Sequence, residues 1–176
     1  MLEIGLKRGT VVLREYDPEW AHAFELEKSF LVNLLGKDCL AIEHIGSTAV
    51  PGLAAKPIID MLMGVRSLAE VSELGPVLEE NGYEYRENGS DDGQVLFVKG
   101  PEEKRTHYLH IMEFGGPMWQ NDLAFRDYLR AHPEAAVQYQ SLKQELASKY
   151  SDDRTSYTKG KKNFIVEILA KTTNKE

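Results

Sequence analysis

The sequence predicts an α+β fold, one β-sheet with helices packed on it, and three observations carry that prediction. Short apolar runs such as CLAIEHI and PIIDMLMGV read as strands, while the stretch after Asp17-Pro18 repeats its apolar residues at helical spacing. The later strands are joined by short, turn-rich connections that suit antiparallel neighbours. No internal repeat, low-complexity tract or long linker divides the 176 residues, so a single domain over 1–176 is expected.

Taken in order, VVLREY at 11–16 is expected as a first strand, since it starts apolar and β-branched and stops at Asp17. Asp17 supplies a capping acceptor and Pro18 the fixed φ of a first helical position. Trp20, Phe24, Leu31 and Leu34 then share one helical face until Gly36. CLAIEHI is the second strand, with Cys39 a buried strand residue, and PIIDMLMGV the third and central one. SLAEVSELGPVLEENG holds a helix that is broken near Gly75-Pro76 or ends at Gly82. Strands are expected at 83–87, 94–99 and 106–113, separated by NGSDDG and GPEEKR. Trp119, Leu123, Phe125 and Leu129 mark one helix, Ala136, Tyr139, Leu142 and Leu146 another, and a last helix runs from about Thr158 to Ala170.

Composition narrows the function. Apolar residues at 42% and charged residues at 28% are ordinary for a soluble globular chain. A lone cysteine forms no internal disulfide and fits a reducing compartment, no secretory or membrane-spanning segment stands out, and a cytoplasmic location is expected. The net charge of −7 opposes non-specific attraction to nucleic acid and to anionic membrane, so neither is an expected partner, whereas self-association stays open. Positive charge is nonetheless concentrated near the C-terminus, where Arg154, Lys159, Lys161 and Lys162 have no acid between them. A solvated face is the plain alternative.

The segment IEHIGSTAVPGLAAKPIID, 42–60, is where chemistry is expected. Gly46 allows close approach of a ligand, and Ser47, Thr48 and nearby amides can donate to phosphate oxygens, although a turn satisfying its own backbone would read the same. The pattern is neither GxxxxGK[ST] nor GxGxxG, nor is GSTAV a GxSxG elbow. Asp60 is the charge in an apolar strand and is costly to bury without a partner. It can hold Mg²⁺ or Mn²⁺, or act structurally by fixing the GST loop or pairing with Lys56 or Arg105. Glu43 and His44 alternate in facing, Glu43 the better ligand for a hard metal and His44 the better proton carrier. His107 and His110 are likewise opposite in parity, which weakens a joint zinc site. Arg105 can grip phosphate bidentately, Lys159 and Lys162 can add mobile charge, and Tyr157 or Phe164 can stack on a base or simply pack.

These residues carry a resemblance. HIGSTAVPGLAAKPIIDMLMGV from His44 to Val65, with YDPEW, HYLHI and YTKGKKNFI, resembles the GrpB family over nearly the whole chain. That family is related to the polymerase-beta-like nucleotidyltransferases, and the resemblance implies a nucleotidyltransferase-like mixed β-sheet flanked by helices. It further implies a Gly-Ser loop at Gly46 and Ser47 and a first metal-binding acid at Asp60. The second acid of such enzymes falls on Leu62, His110 stands about where a third would come from, and Glu43 or Glu113 could compensate. A similar domain is attached to some bacterial dephospho-coenzyme A kinases. Three readings follow. One is a metal-dependent nucleotidyltransferase holding a nucleotide with Gly46, Ser47, Lys56 and the C-terminal cations, with His110 as ligand or proton carrier. Another is an inactive module that binds a nucleotide or phosphorylated metabolite, and the last is a scaffold or protein-interaction domain.

Overall fold

Alternation along PIIDMLMGV sorts the molecule into layers. Ile59, Met61, Met63 and Val65 point to one side and are fully buried, while Asp60, Leu62 and Gly64 point to the other. The computed structural model of the chain describes residues 4–91 and 93–173, so Asp92 of the NGSDDG turn lies outside the described residues. Strands β1 (Ala41–Ile45), β2 (Ile59–Val65), β3 (Tyr83–Asp91), β4 (Gln94–Lys99) and β5 (His107–Glu113) form one sheet in the order β1-β2-β5-β4-β3. The pair β2–β5 is parallel and the others are antiparallel, so the sheet is mixed, as expected. β2 is interior, but the middle place belongs to β5.

Helices α1 (Glu19–Leu35) and α2 (Val71–Glu80) cover the first face, where Trp20, Phe24, Leu31, Leu74 and Leu78 join the β2 side chains in the main core. The Asp17 carboxylate accepts from the Glu19 amide at 2.9 Å, and Gly36 closes α1 at φ 55°. The other face receives α3 (Pro117–Ala131), whose Trp119 packs with Ile45, Leu62 and Met112. α3 comes so near that a methyl group on Gly64 would stand 3.0 Å from the Trp119 ring. Beyond it, α4 (Pro133–Lys149) and α6 (Lys162–Thr173) add a layer around Val50, Leu53, Leu129 and Tyr139, and α5 (Arg154–Gly160) packs its Tyr157 with Leu146 and Val11.

Several expectations are corrected. VVLREY is not a ladder strand: among the described residues it makes one bridge, from Arg14 to Ala55, and no strand of the sheet pairs along it. Cys39 precedes β1 and is half-buried against the main core, where burial pushes its thiol pKa up. Of the two ends expected for the second helix, the one at Gly82, φ 87°, is observed, and the helix passes through Pro76. β3 extends to Asp91, and the last helix is two, broken after Gly160. Among the described residues no helix is long and apolar enough to cross a membrane.

Candidate functional site, a cation-lined cavity over Asp60

The chain between β1 and β2 is held from outside by helices. Gly46 leaves β1 at φ 71°, and Ser47–Ala49 makes a single 3-10 turn. From α3, Arg126 donates to the His44 carbonyl at 3.0 Å and Arg130 to the Ala49 carbonyl at 2.9 Å. From α4, the Lys143 ammonium donates to the Ala54 carbonyl, and Gln140 accepts from the Ala54 amide at 2.9 Å. These contacts satisfy a buried loop backbone and fix the path that brings Lys56 beside Asp60. Gly46 is required twice over: its φ suits glycine, and a side-chain carbon there would sit 2.8 Å from Asp60 Oδ2.

Between the second sheet face and the C-terminal helices lies a cavity of about 730 Å³. Its floor is Asp60, Tyr108 and His110, facing the same way from the parallel pair. His110 Nε2 is 3.3 Å from Asp60 Oδ1, and its Nδ1 faces Gln94 Oε1 at 3.4 Å, the Gln94 amide nitrogen being committed to the Gly89 carbonyl at 2.8 Å. Burial alone would raise the Asp60 pKa. The hydrogen bond and charge of His110, with Lys56 and Arg154, outweigh it and hold the carboxyl below its ordinary value.

The walls are cationic: Arg8, Lys56, Arg86, Arg154, Lys159 and Lys161 line the cavity, with Asp60 as the carboxylate among the described lining residues. Arg8 and Arg86 are paired with Glu102 and Glu84. The rest are not so balanced. Lys56 and Lys161 lie 5.3 and 4.8 Å from the centre of the buried Tyr157 ring, and the Arg154 guanidinium lies 4.7 Å from the Tyr108 ring and donates to its hydroxyl. Burial, reinforced by Arg154 and Lys161, drives the Lys56 pKa well down, and burial lowers Lys161 to about 8. Asp153 caps α5 by accepting from the Ser156 amide at 3.0 Å, which sets Arg154 and Tyr157.

The sites expected from the sequence divide. Gly46, Ser47, Thr48, Lys56, Asp60, His110 and Lys159 all line the cavity. The Thr48 hydroxyl is taken by His44 Nε2 at 2.9 Å, and His44 stacks on Phe24, which places its ring on the far side of the sheet. Glu43 is not in the cavity lining: its carboxylate accepts from Arg126 at 2.7 Å. Arg105 is buried with Glu84 at 2.7 Å and the Gly100 carbonyl, a structural role. Lys162 is exposed outside the cavity, and Lys161 turns inward instead. Phe164 stacks on Tyr139 in the helical layer, the packing alternative. Tyr108 and Tyr139 are members that sequence reasoning did not place there, and Arg154 and Lys161 were expected only as part of the C-terminal cation group. Asp122 of α3 was missed too; burial and the neighbouring Asp60 raise its pKa, while His110 opposes them.

Two-metal chemistry needs several hard donors, and the residues present do not fit it. Leu62, at the second acidic position, is fully buried against Ile45, Met112 and Trp119, and Glu43 is committed to Arg126. Among the described residues no three His, Cys, Asp or Glu side chains are placed to hold a metal ion.

A mixed sheet with a Gly-Ser turn set against an aspartate on the next strand defines a nucleotidyltransferase-like fold. The Cid1 poly(U) polymerase, solved bound to MgATP, shares it with a TM-score of 0.50 at 16% identity, over 84% of this chain and 50% of that one. The chain belongs to the GrpB family, whose model, described as GrpB protein, matches residues 10–171. The glutamate-rich protein GrpB of Alkalihalophilus pseudofirmus is 41% identical over 170 residues, 94% of this chain and 98% of that one. The crystal structure of the conserved protein GrpB from Enterococcus faecalis has a TM-score of 0.84 and 41% identity, covering 93% of this chain and 98% of that one. A dephospho-CoA kinase of Mycolicibacterium paratuberculosis is 29% identical over 86% of this chain, which spans 43% of that protein.

Proposed function

We propose that the cavity binds a nucleotide or another phosphorylated small molecule, with its phosphates toward Lys56, Arg154, Lys159 and Lys161. The observation that carries this reading is the uncompensated cation cluster, in a chain whose overall charge is −7. Desolvated cations without carboxylate partners are costly unless an anion joins them. Gly46 and Ser47 would border the ligand at the β1 end, and Asp60 with His110 would stand beneath it. Nucleotidyl transfer is the second reading, favoured by the pairing of Ile45 with Asp60, which sets a carboxylate directly against the Gly46 turn. That reading calls for Mg²⁺ or Mn²⁺ at Asp60, and the shortage of further acids weighs against it.

A thermal-shift panel of nucleotides, sugar phosphates and the matching unphosphorylated nucleosides tests the binding reading. A phosphorylated ligand at 100 times its dissociation constant should add about 2.7 kcal/mol to apparent stability. The expected result is a shift with phosphorylated compounds that is absent with nucleosides and in Lys56→Met. A panel without shifts, or nucleosides as effective as nucleotides, would sink it.

A further inference from the structure

We infer that the cavity seats a phosphate group directly on Lys56, Arg154 and Lys161, with no divalent metal ion between protein and phosphate. This inference rests on the phosphate-binding reading above and specifies how the ligand is held. Three features of the cavity lead to it.

Charge balance is the first. Lys56, Arg154 and Lys161 surround Asp60 closely enough to influence one another's ionisation. None of the three forms a carboxylate ion pair among the described residues. Three basic side chains gathered around Asp60 bias the site toward an anion and against a divalent cation.

The donor set is the second. A hard metal brought by phosphate still needs several carboxylate oxygens, and here Asp60 Oδ1 faces His110, burial disfavours the charged form of Asp122, Leu62 is core and Glu43 belongs to Arg126.

Preorganisation is the third. The Tyr157 ring lies beneath both lysine ammoniums, and Tyr108 holds the guanidinium by its face and its hydroxyl, so the cations are in position before a ligand arrives. Asp60 then serves as a positioning residue: it orients the His110 imidazole, whose other nitrogen faces Gln94.

Isothermal titration with inorganic pyrophosphate separates the alternatives. Metal-free seating predicts binding in EDTA at least as tight as in Mg²⁺. Removing the carboxylate from a cationic site should strengthen anion attraction, so Asp60→Asn is expected to tighten binding by roughly three- to tenfold. Lys56→Met combined with Lys161→Met should abolish binding, and Lys162→Met, outside the cavity, should leave it unchanged. Binding that requires Mg²⁺, or that disappears in Asp60→Asn while circular dichroism shows that variant folded, overturns this inference and leaves the phosphate-binding reading standing. Absence of binding in either buffer overturns both.

Discussion

Asp60 keeps its charge in a strand whose other residues are apolar, and its neighbour Leu62 shows what the same face does without a polar partner. Leu62 is fully buried among Ile45, Met112 and Trp119. Leu62→Asp would therefore place a carboxylate in an apolar cluster, and urea unfolding should show a loss of about 3 kcal/mol or more. Lys161 supplies a prediction of the opposite kind. Its pKa is lowered to about 8, mainly by burial, so it is charged below that pH and loses its proton above it. A bound anion raises that pKa. Pyrophosphate affinity should thus fall as pH rises through about 8, and Lys161→Met should flatten that part of the profile. Asp60 was legible in the sequence because an isolated charge in PIIDMLMGV demands a reason. Lys161 was not, since the helix break after Gly160 decides which of Lys159, Lys161 and Lys162 turns inward. Glu43 and Arg105 looked equally suited to chemistry. Their partners Arg126 and Glu84 are 83 and 21 residues away, beyond the reach of local pattern.

At the level of elements, the loop from Gly46 to Lys56 has little regular structure and takes its shape from α3 and α4. The buried Ala54 amide depends on Gln140. Gln140→Ala leaves that amide unpaired and should cost about 1 to 3 kcal/mol in denaturant unfolding, with weakened ligand binding because Lys56 lies two residues on. Strand and helix types were largely readable from periodicity, from the helix after Asp17-Pro18 to the antiparallel run β3, β4 and β5. VVLREY failed because β-branched residues favour extended backbone, yet a strand also needs a neighbour. Among the described residues of this stretch, Arg14 alone forms a bridge, to Ala55.

For the molecule as a whole, two buried histidines couple stability to pH. His44 against Phe24 and His107 on the same face have their pKa values lowered from 6.5 to about 4, chiefly by burial. Both are neutral in the fold, and among the described residues His107 Nε2 has no hydrogen-bond partner. Between those values the unfolded chain binds more protons than the native one. Stability is thus full above pH 6.5 and falls on acidification toward pH 4, by roughly 1 to 3 kcal/mol per histidine. Urea titrations across this window should show the decline, with a shallower one in His107→Gln.

The parallel pairing of β2 with β5 also governs time. Asp60 and His110 are 50 residues apart in sequence, and the β3–β4 hairpin lies between their strands. Closing that pair carries the largest loop entropy of any strand pairing in the sheet, so the hairpin forms early and the floor of the cavity is completed late. A ligand of this cavity has nothing to grip before the folding barrier is crossed. In stopped-flow experiments it should leave the refolding rate unchanged and slow unfolding, prolonging the life of the native state without hastening its arrival.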